Sequence, residues 1–233
     1  MTPTRSRSLV RPWAGLAVAA LLLTGCGAAP ALEPGVAARV GDSRISVSRV
    51  DQVTESYCQA AEQQLSQGQV IAQHLLRGQT AGALALRSAA DQFAAEEGVT
   101  ADPSYDRAVQ NAEQSLASLS ADERQALIDV QGAGAYVSAV ELAAGRRIVA
   151  KQGTTGAAED KAAQAAGAAA FQKWLADHDV HLDPRFGVSI SGGRTQPEDT
   201  SLSYPVSDAA KNGAADNADP GYASALPGSQ RCN

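Results

Sequence analysis

The chain has 233 residues, a formal net charge of −6 and only 4% aromatic residues. That acidic balance argues against nucleic-acid binding, which needs clustered Lys and Arg against phosphate, and the length limits the fold to one domain with a tail or two small domains. With few aromatic anchors and much alanine, the core has to be built from Ala, Val and Leu, a composition that favours helices.

Residues 1–25 read as a signal peptide. Arg5, Arg7 and Arg11 stand without an acidic residue, an apolar run covers 13–23, and small residues follow. The run is shorter than the roughly 20 apolar residues of a membrane-spanning helix. Arg5 and Arg7 are separated by Ser6, so they are not a twin-arginine pair. The stretch Leu23-Thr24-Gly25-Cys26 resembles the bacterial lipobox, whose cysteine is acylated and becomes the new N-terminus. The resemblance implies a lipid such as palmitate on Cys26, a cell-membrane location on the extracytoplasmic face, and a lipidated tether over 26–35 containing Gly27, Pro30 and Pro34. Loss of 1–25 removes three arginines and no acid, which takes the formal charge from −6 to −9.

Lipidation of Cys26 leaves Cys58 and Cys232. In an oxidising compartment this pair is either a disulfide tying the tail to the first helix or two free thiols.

Residues 36–45 read as a small hairpin turning at Gly41-Asp42. Ser48 followed by Asp51 looks like a helix start, and Val50, Val53, Tyr57, Ala61 and Leu65 recur at helical spacing. A short apolar piece with Val70, Ile71, Leu75 and Leu76 ends near Gly78, and the next helix carries Ala83, Leu86, Ala90 and Phe93 up to Gly98. Asp102-Pro103 restarts the chain. A capping box at Ser120-Ala121-Asp122-Glu123 opens a helix that reaches Ile148, with a break allowed by Gly132 and Gly134. After a loop at 151–156, an Ala-rich helix runs over 157–179, Asp183-Pro184 ends it, and 185–190 reads as a strand. Residues 191–233 read as a mostly disordered tail, apart from Leu202-Ser203-Tyr204-Pro205-Val206.

Catalytic chemistry has little to stand on, and no catalytic or metal residue and no cofactor is expected. His178 and His181, with Asp177, Asp179 and Asp183, imitate a metal cluster but read as a polar helix end. His74 reads as a packed or surface histidine, and Glu96-Glu97 and Arg146-Arg147 as solvated helix ends. Gly192-Gly193-Arg194 does not precede a helix, so it is not a phosphate loop.

Three segments resemble SurA-like chaperones, closest to short actinobacterial lipoproteins of that type. The first is Ala37-Ala38-Arg39-Val40-Gly41-Asp42-Ser43-Arg44-Ile45-Ser46-Val47-Ser48-Arg49-Val50-Asp51. The second is the helix ending Ala94-Ala95-Glu96-Glu97-Gly98-Val99, and the third is Phe171-Gln172-Lys173-Trp174-Leu175 with Val180 and Asp183-Pro184-Arg185-Phe186-Gly187. The resemblance implies a mainly α fold over 36–190, in which a returning C-terminal strand joins the N-terminal hairpin. It also implies binding of unfolded or exported polypeptides through an apolar groove whose residues the sequence does not identify. The parvulin isomerase domain of full-length relatives needs roughly a hundred residues, and 151–156 leaves no room for it, so isomerase activity is not expected. The competing expectation is a scaffold lipoprotein with one folded partner.

Overall fold

The computed structural model describes residues 33–63, 65, 69–151, 159–199, 203–215 and 220–233. The expected signal peptide, Cys26 and all but the end of the expected tether lie outside the described residues. Residues 34–233 form one compact unit, mainly helical with small antiparallel sheets.

Strand β1 (Val36–Val40) turns at Gly41 and Asp42 into β2 (Ser43–Ser46), with Gly41 at φ 51° supplying the left-handed backbone of the turn. Helix α1 (Val47–Glu62) starts two residues earlier than the Ser48 expectation. Ser46 is its cap, accepting from the Arg49 N–H at 3.1 Å, because the second strand runs straight into the helix. After α1 comes the two-residue strand β3 (Ile71–Ala72).

Helix α2 (Gln73–Glu97) corrects the expected break at Gly78: it is one 25-residue helix through that glycine. Gly78 and Gly82 are buried beneath other parts of the chain, so the space freed by the missing side chains is filled by tertiary contact. The helix ends at Gly98, which is in the left-handed conformation.

Asp102 caps α3 (Pro103–Ser115), with Pro103 in the first turn, where its missing N–H costs nothing. Ser120 and Glu123 form the full capping box of α4 (Ala121–Gln131), and Gly132 separates it from α5 (Ala133–Ala150). Helix α6 (Glu159–Asp177) follows.

A strand does return to the N-terminal hairpin, but it is β4 (Val180–Leu182), pairing antiparallel with β1 to give the order β2-β1-β4. The expected strand at 185–190 is instead a 3-10 turn at Pro184–Phe186 and then β5 (Val188–Ser191), which pairs with β6 (Arg194–Pro197). Gly192 and Gly193, at φ 58° and 72°, make the two-residue turn between them. This also corrects the disordered tail. Beyond 190 the chain carries β6, α7 (Asp208–Ala214), α8 (Pro220–Ala225) and β7 (Arg231–Cys232), and β7 pairs with β3. The tail is rich in residues that favour disorder when isolated, but Ala223 and Cys232 are buried. Contacts with distant elements compensate for its weak local preferences.

Helix α2 packs on two sides. On one, Leu86 and Phe93 meet Val40, Val50, Val140, Phe171 and Trp174. On the other, Leu76 and Ala83 meet Val53, Tyr57, Leu127 and Val130. Helices α5 and α6 cross at Gly145 and Gly167: a Cβ on Gly145 would lie 1.7 Å from the Ala163 carbonyl oxygen, and one on Gly167 1.8 Å from that of Glu141.

Arg146, read from sequence as a solvated helix end, instead joins three elements by pairing with Asp102 and, at 2.9 Å, with Asp160. The Asp102 carboxylate also accepts the Ser104 N–H at 2.9 Å. These hydrogen bonds from Ser104, opposed by burial and aided by Arg146, hold its carboxyl at about 2. The folded value lies below the ordinary carboxylate range of the unfolded chain. The stabilisation is therefore complete above that range and is lost as pH falls toward 2. Asp102→Ala is expected to lower stability by about 1–2 kcal/mol at pH 7. Urea unfolding at pH 7 and at pH 2.5 should show the difference from the parent chain shrinking in acid.

Candidate functional site

A groove of about 810 Å³ runs along α2. Its apolar wall comes from Leu75, Ala83 and Leu86 of α2, Val130 and Ala133 at the α4–α5 junction, and Phe186 and Val188. One long side is β6, contributed by Arg194, Thr195 and Pro197. The last turn of α7 adds Gly213 and Ala214 to the lining.

Small residues on α2 set its shape. A Cβ on Gly78 would lie 2.6 Å from the Phe186 carbonyl oxygen, and one on Gly82 would lie 2.3 Å from Thr195 Cγ2. These two glycines, four residues apart and so on one face of the helix, let the 184–197 segment sit directly on its backbone. Leu75 on the same helix remains 39% exposed.

Charged and polar groups stand around the groove. Arg185 pairs with Asp183 at 2.8 Å. His74 has its proton affinity lowered by burial, partly offset by a hydrogen bond to the Gly213 backbone, and its ring meets Tyr222 edge-on at 6.4 Å. Glu141, near the hairpin turn, is pushed up by burial, while the Gln164 amide at 3.0 Å and the charge of Arg194 pull the other way. The arrangement offers an apolar surface with mixed charge at its margins.

The other residues picked out by sequence lie elsewhere. His178 stacks on Trp174 with ring centroids 3.9 Å apart, and its Nε2 is 3.2 Å from Glu96 Oε1. Glu96 also accepts from Trp174 Nε1 at 2.9 Å, so it pins α6 to the end of α2 rather than lying free in solvent. His181 sits opposite Arg39 in the β1–β4 pairing, and among the described residues neither histidine belongs to a close grouping of three or more potential metal ligands.

Cys58 and Cys232 are joined in a disulfide. Among the described residues the one close grouping of potential metal ligands is Cys58, Glu62 and Cys232. Its sulfurs are bonded to each other, so it offers no thiolate. Also among the described residues, no helix is long and apolar enough to cross a membrane.

Sequence reasoning expected an apolar groove only through the resemblance and identified none of its lining. One available signal was Gly192-Gly193 between Ile190 and Thr195, a two-glycine turn between short runs that marks a hairpin. The close approach at Gly78 and Gly82 had no signal readable in isolation. Comparison with protein-family models, curated proteins and solved structures finds no match to this chain.

Proposed function

We propose that this chain is a lipid-anchored, extracytoplasmic module of SurA-like type. It binds unfolded or newly exported polypeptides in the groove along α2, without prolyl isomerase or other catalytic activity. The observation that carries this reading is an apolar groove of about 810 Å³ with exposed Leu75 on its wall and polar residues at its margins. Such a surface holds apolar side chains of varied sequence without demanding one fixed shape. The lipobox-like Leu23-Thr24-Gly25-Cys26 supports the anchor. A tether of about ten residues spans at most roughly 35 Å however it is arranged, which keeps clients close to the membrane surface.

The test is suppression of aggregation when guanidinium-unfolded citrate synthase is diluted into buffer containing the full chain. The parent chain is expected to suppress light scattering at molar excess. Leu75→Asp places a charge on the groove wall at a partly exposed site and is expected to weaken suppression about tenfold, in line with the roughly 1–3 kcal/mol cost of charging an apolar contact. Absence of suppression by the parent chain would overturn the reading. A single folded protein captured in stoichiometric amount would favour a scaffold role instead.

A further inference from the structure

We propose that residues 203–206 are a strap that closes the groove by adding a strand to the free edge of β6. The closed state is self-occupied, and any ligand of the groove must displace it. The inference rests on the groove's geometry and not on what the groove binds.

The backbone phase of the β5–β6 hairpin comes first. The Glu198 N–H donates to the Gly187 carbonyl at 2.9 Å, which makes 187 and 198 a hydrogen-bonded pair. Antiparallel pairs alternate, so Ser189/Gln196 and Ser191/Arg194 are bonded, while Ile190/Thr195 and Val188/Pro197 are not. The N–H and C=O of Thr195, a residue of the groove lining, therefore point out of the hairpin, away from β5. Pro197, next in that outward row, has no N–H to leave bare, as suits an edge strand. Among the described residues no strand pairs with this edge.

The side-chain direction follows from the same register. The Thr195 side chain rests on Gly82 of α2. A residue placed opposite Thr195 on a new antiparallel strand points to the same face, onto α2 and the groove wall.

The adjoining segment has the matching pattern. Tyr204 is 86% exposed and Val206 83% exposed, and with Leu75 of the groove they are the exposed large hydrophobics among the described residues. Tyr204 and Val206 are two positions apart, so on a strand they point the same way. With Tyr204 opposite Thr195, both apolar side chains face the groove. Pro205 then falls opposite Arg194, where a strand residue turns its N side away from β6, so its missing N–H interrupts no pairing. The exposed apolar surfaces on both sides would bury each other.

The test uses the full chain and measures amide exchange at Thr195 by NMR. Thr195 is expected to exchange about tenfold more slowly in the parent chain than in Tyr204→Ser/Val206→Ser, as befits an amide gaining and losing a pairing partner. Both side chains are exposed, so their removal leaves the core intact. Equal exchange in the two chains would overturn the proposal. A second arm places p-benzoylphenylalanine at position 204. Crosslinks to Ala83, Leu86 or Val130 of the same chain support the strap, whereas crosslinks only between two chains, or none, overturn it. Retained suppression of client aggregation alongside a failed exchange test would sink the strap and leave the polypeptide-binding reading standing.

Discussion

With Cys58 and Cys232 both replaced by serine, the chain is expected to lose about 4–5 kcal/mol of stability. The two residues are 174 positions apart, and their bond closes nearly the whole described fold into one loop. In the chain-entropy account a crosslink acts mainly on the unfolded ensemble, and its effect grows with the logarithm of loop length, reaching about 5 kcal/mol for a loop of this size. There is a native-state part as well. Cys232 is fully buried among Val53, Tyr57 and Leu76, and its strand β7 is held to β3 by only two register positions. A two-residue pairing has little intrinsic stability, so loss of the bond is also expected to release β7 and α8 locally. Urea unfolding followed by circular dichroism measures the global effect, and amide exchange at Ile71 and Ala72 the local one. Changing both cysteines together leaves no unpaired thiol to crosslink two chains. A loss below about 1 kcal/mol would mean that the unfolded chain is already compact enough to make the crosslink redundant.

Gly167→Ala is expected to cost about 3 kcal/mol or more, and Gly145→Ala a similar amount, although alanine is the better helix former. The reason lies across the interface. The added Cβ would sit 1.8 Å from the Glu141 carbonyl oxygen in the first case and 1.7 Å from that of Ala163 in the second. Neither obstacle is a side chain that can rotate away. Both are helix backbone, so α5 and α6 have to separate. Separation disturbs Phe171 and Trp174, which carry α6 into the core around Phe93. It also strains the pairing of Glu96 with Trp174 and His178. Gly134→Ala is the internal control. Its Cβ meets nothing within 4 Å, so a gain of up to about 0.5–1 kcal/mol is expected from helix propensity. Thermal unfolding of the three variants separates the two effects. A mild cost at Gly167 would show that the crossing yields without loss of packing.

The two cases also mark how far a sequence can be read. Ser120 with Glu123, Asp102 with Pro103, and the turn at Gly41 are legible because cap and turn chemistry operates within a few residues. The first helix is misplaced by two residues because Ser46 and Ser48 are equivalent as local caps, and only the strand leading into Ser46 chooses between them. Gly78 reads as a helix end, since an isolated glycine weakens a helix. The structure keeps the helix because Phe186 occupies the space beside it. The residues after 190 read as disordered because their composition buries little by itself. Pairing with β5 and β3 and bonding to Cys58 fold them.

The sequence by itself determined the helical character, the acidic surface, the positions of most helix ends and the presence of two cysteines beyond Cys26. These follow from composition and from interactions a few residues long. Only the tertiary structure decided that Cys58 meets Cys232, that Arg146 bridges Asp102 and Asp160, and that Gly78 and Gly82 seat a hairpin to leave an apolar groove beside them. Each of those depends on what lies across a gap from residues far away in the chain. A glycine, an arginine or a cysteine has the same local chemistry whether that gap is filled by solvent, a carboxylate, a carbonyl oxygen or a second sulfur.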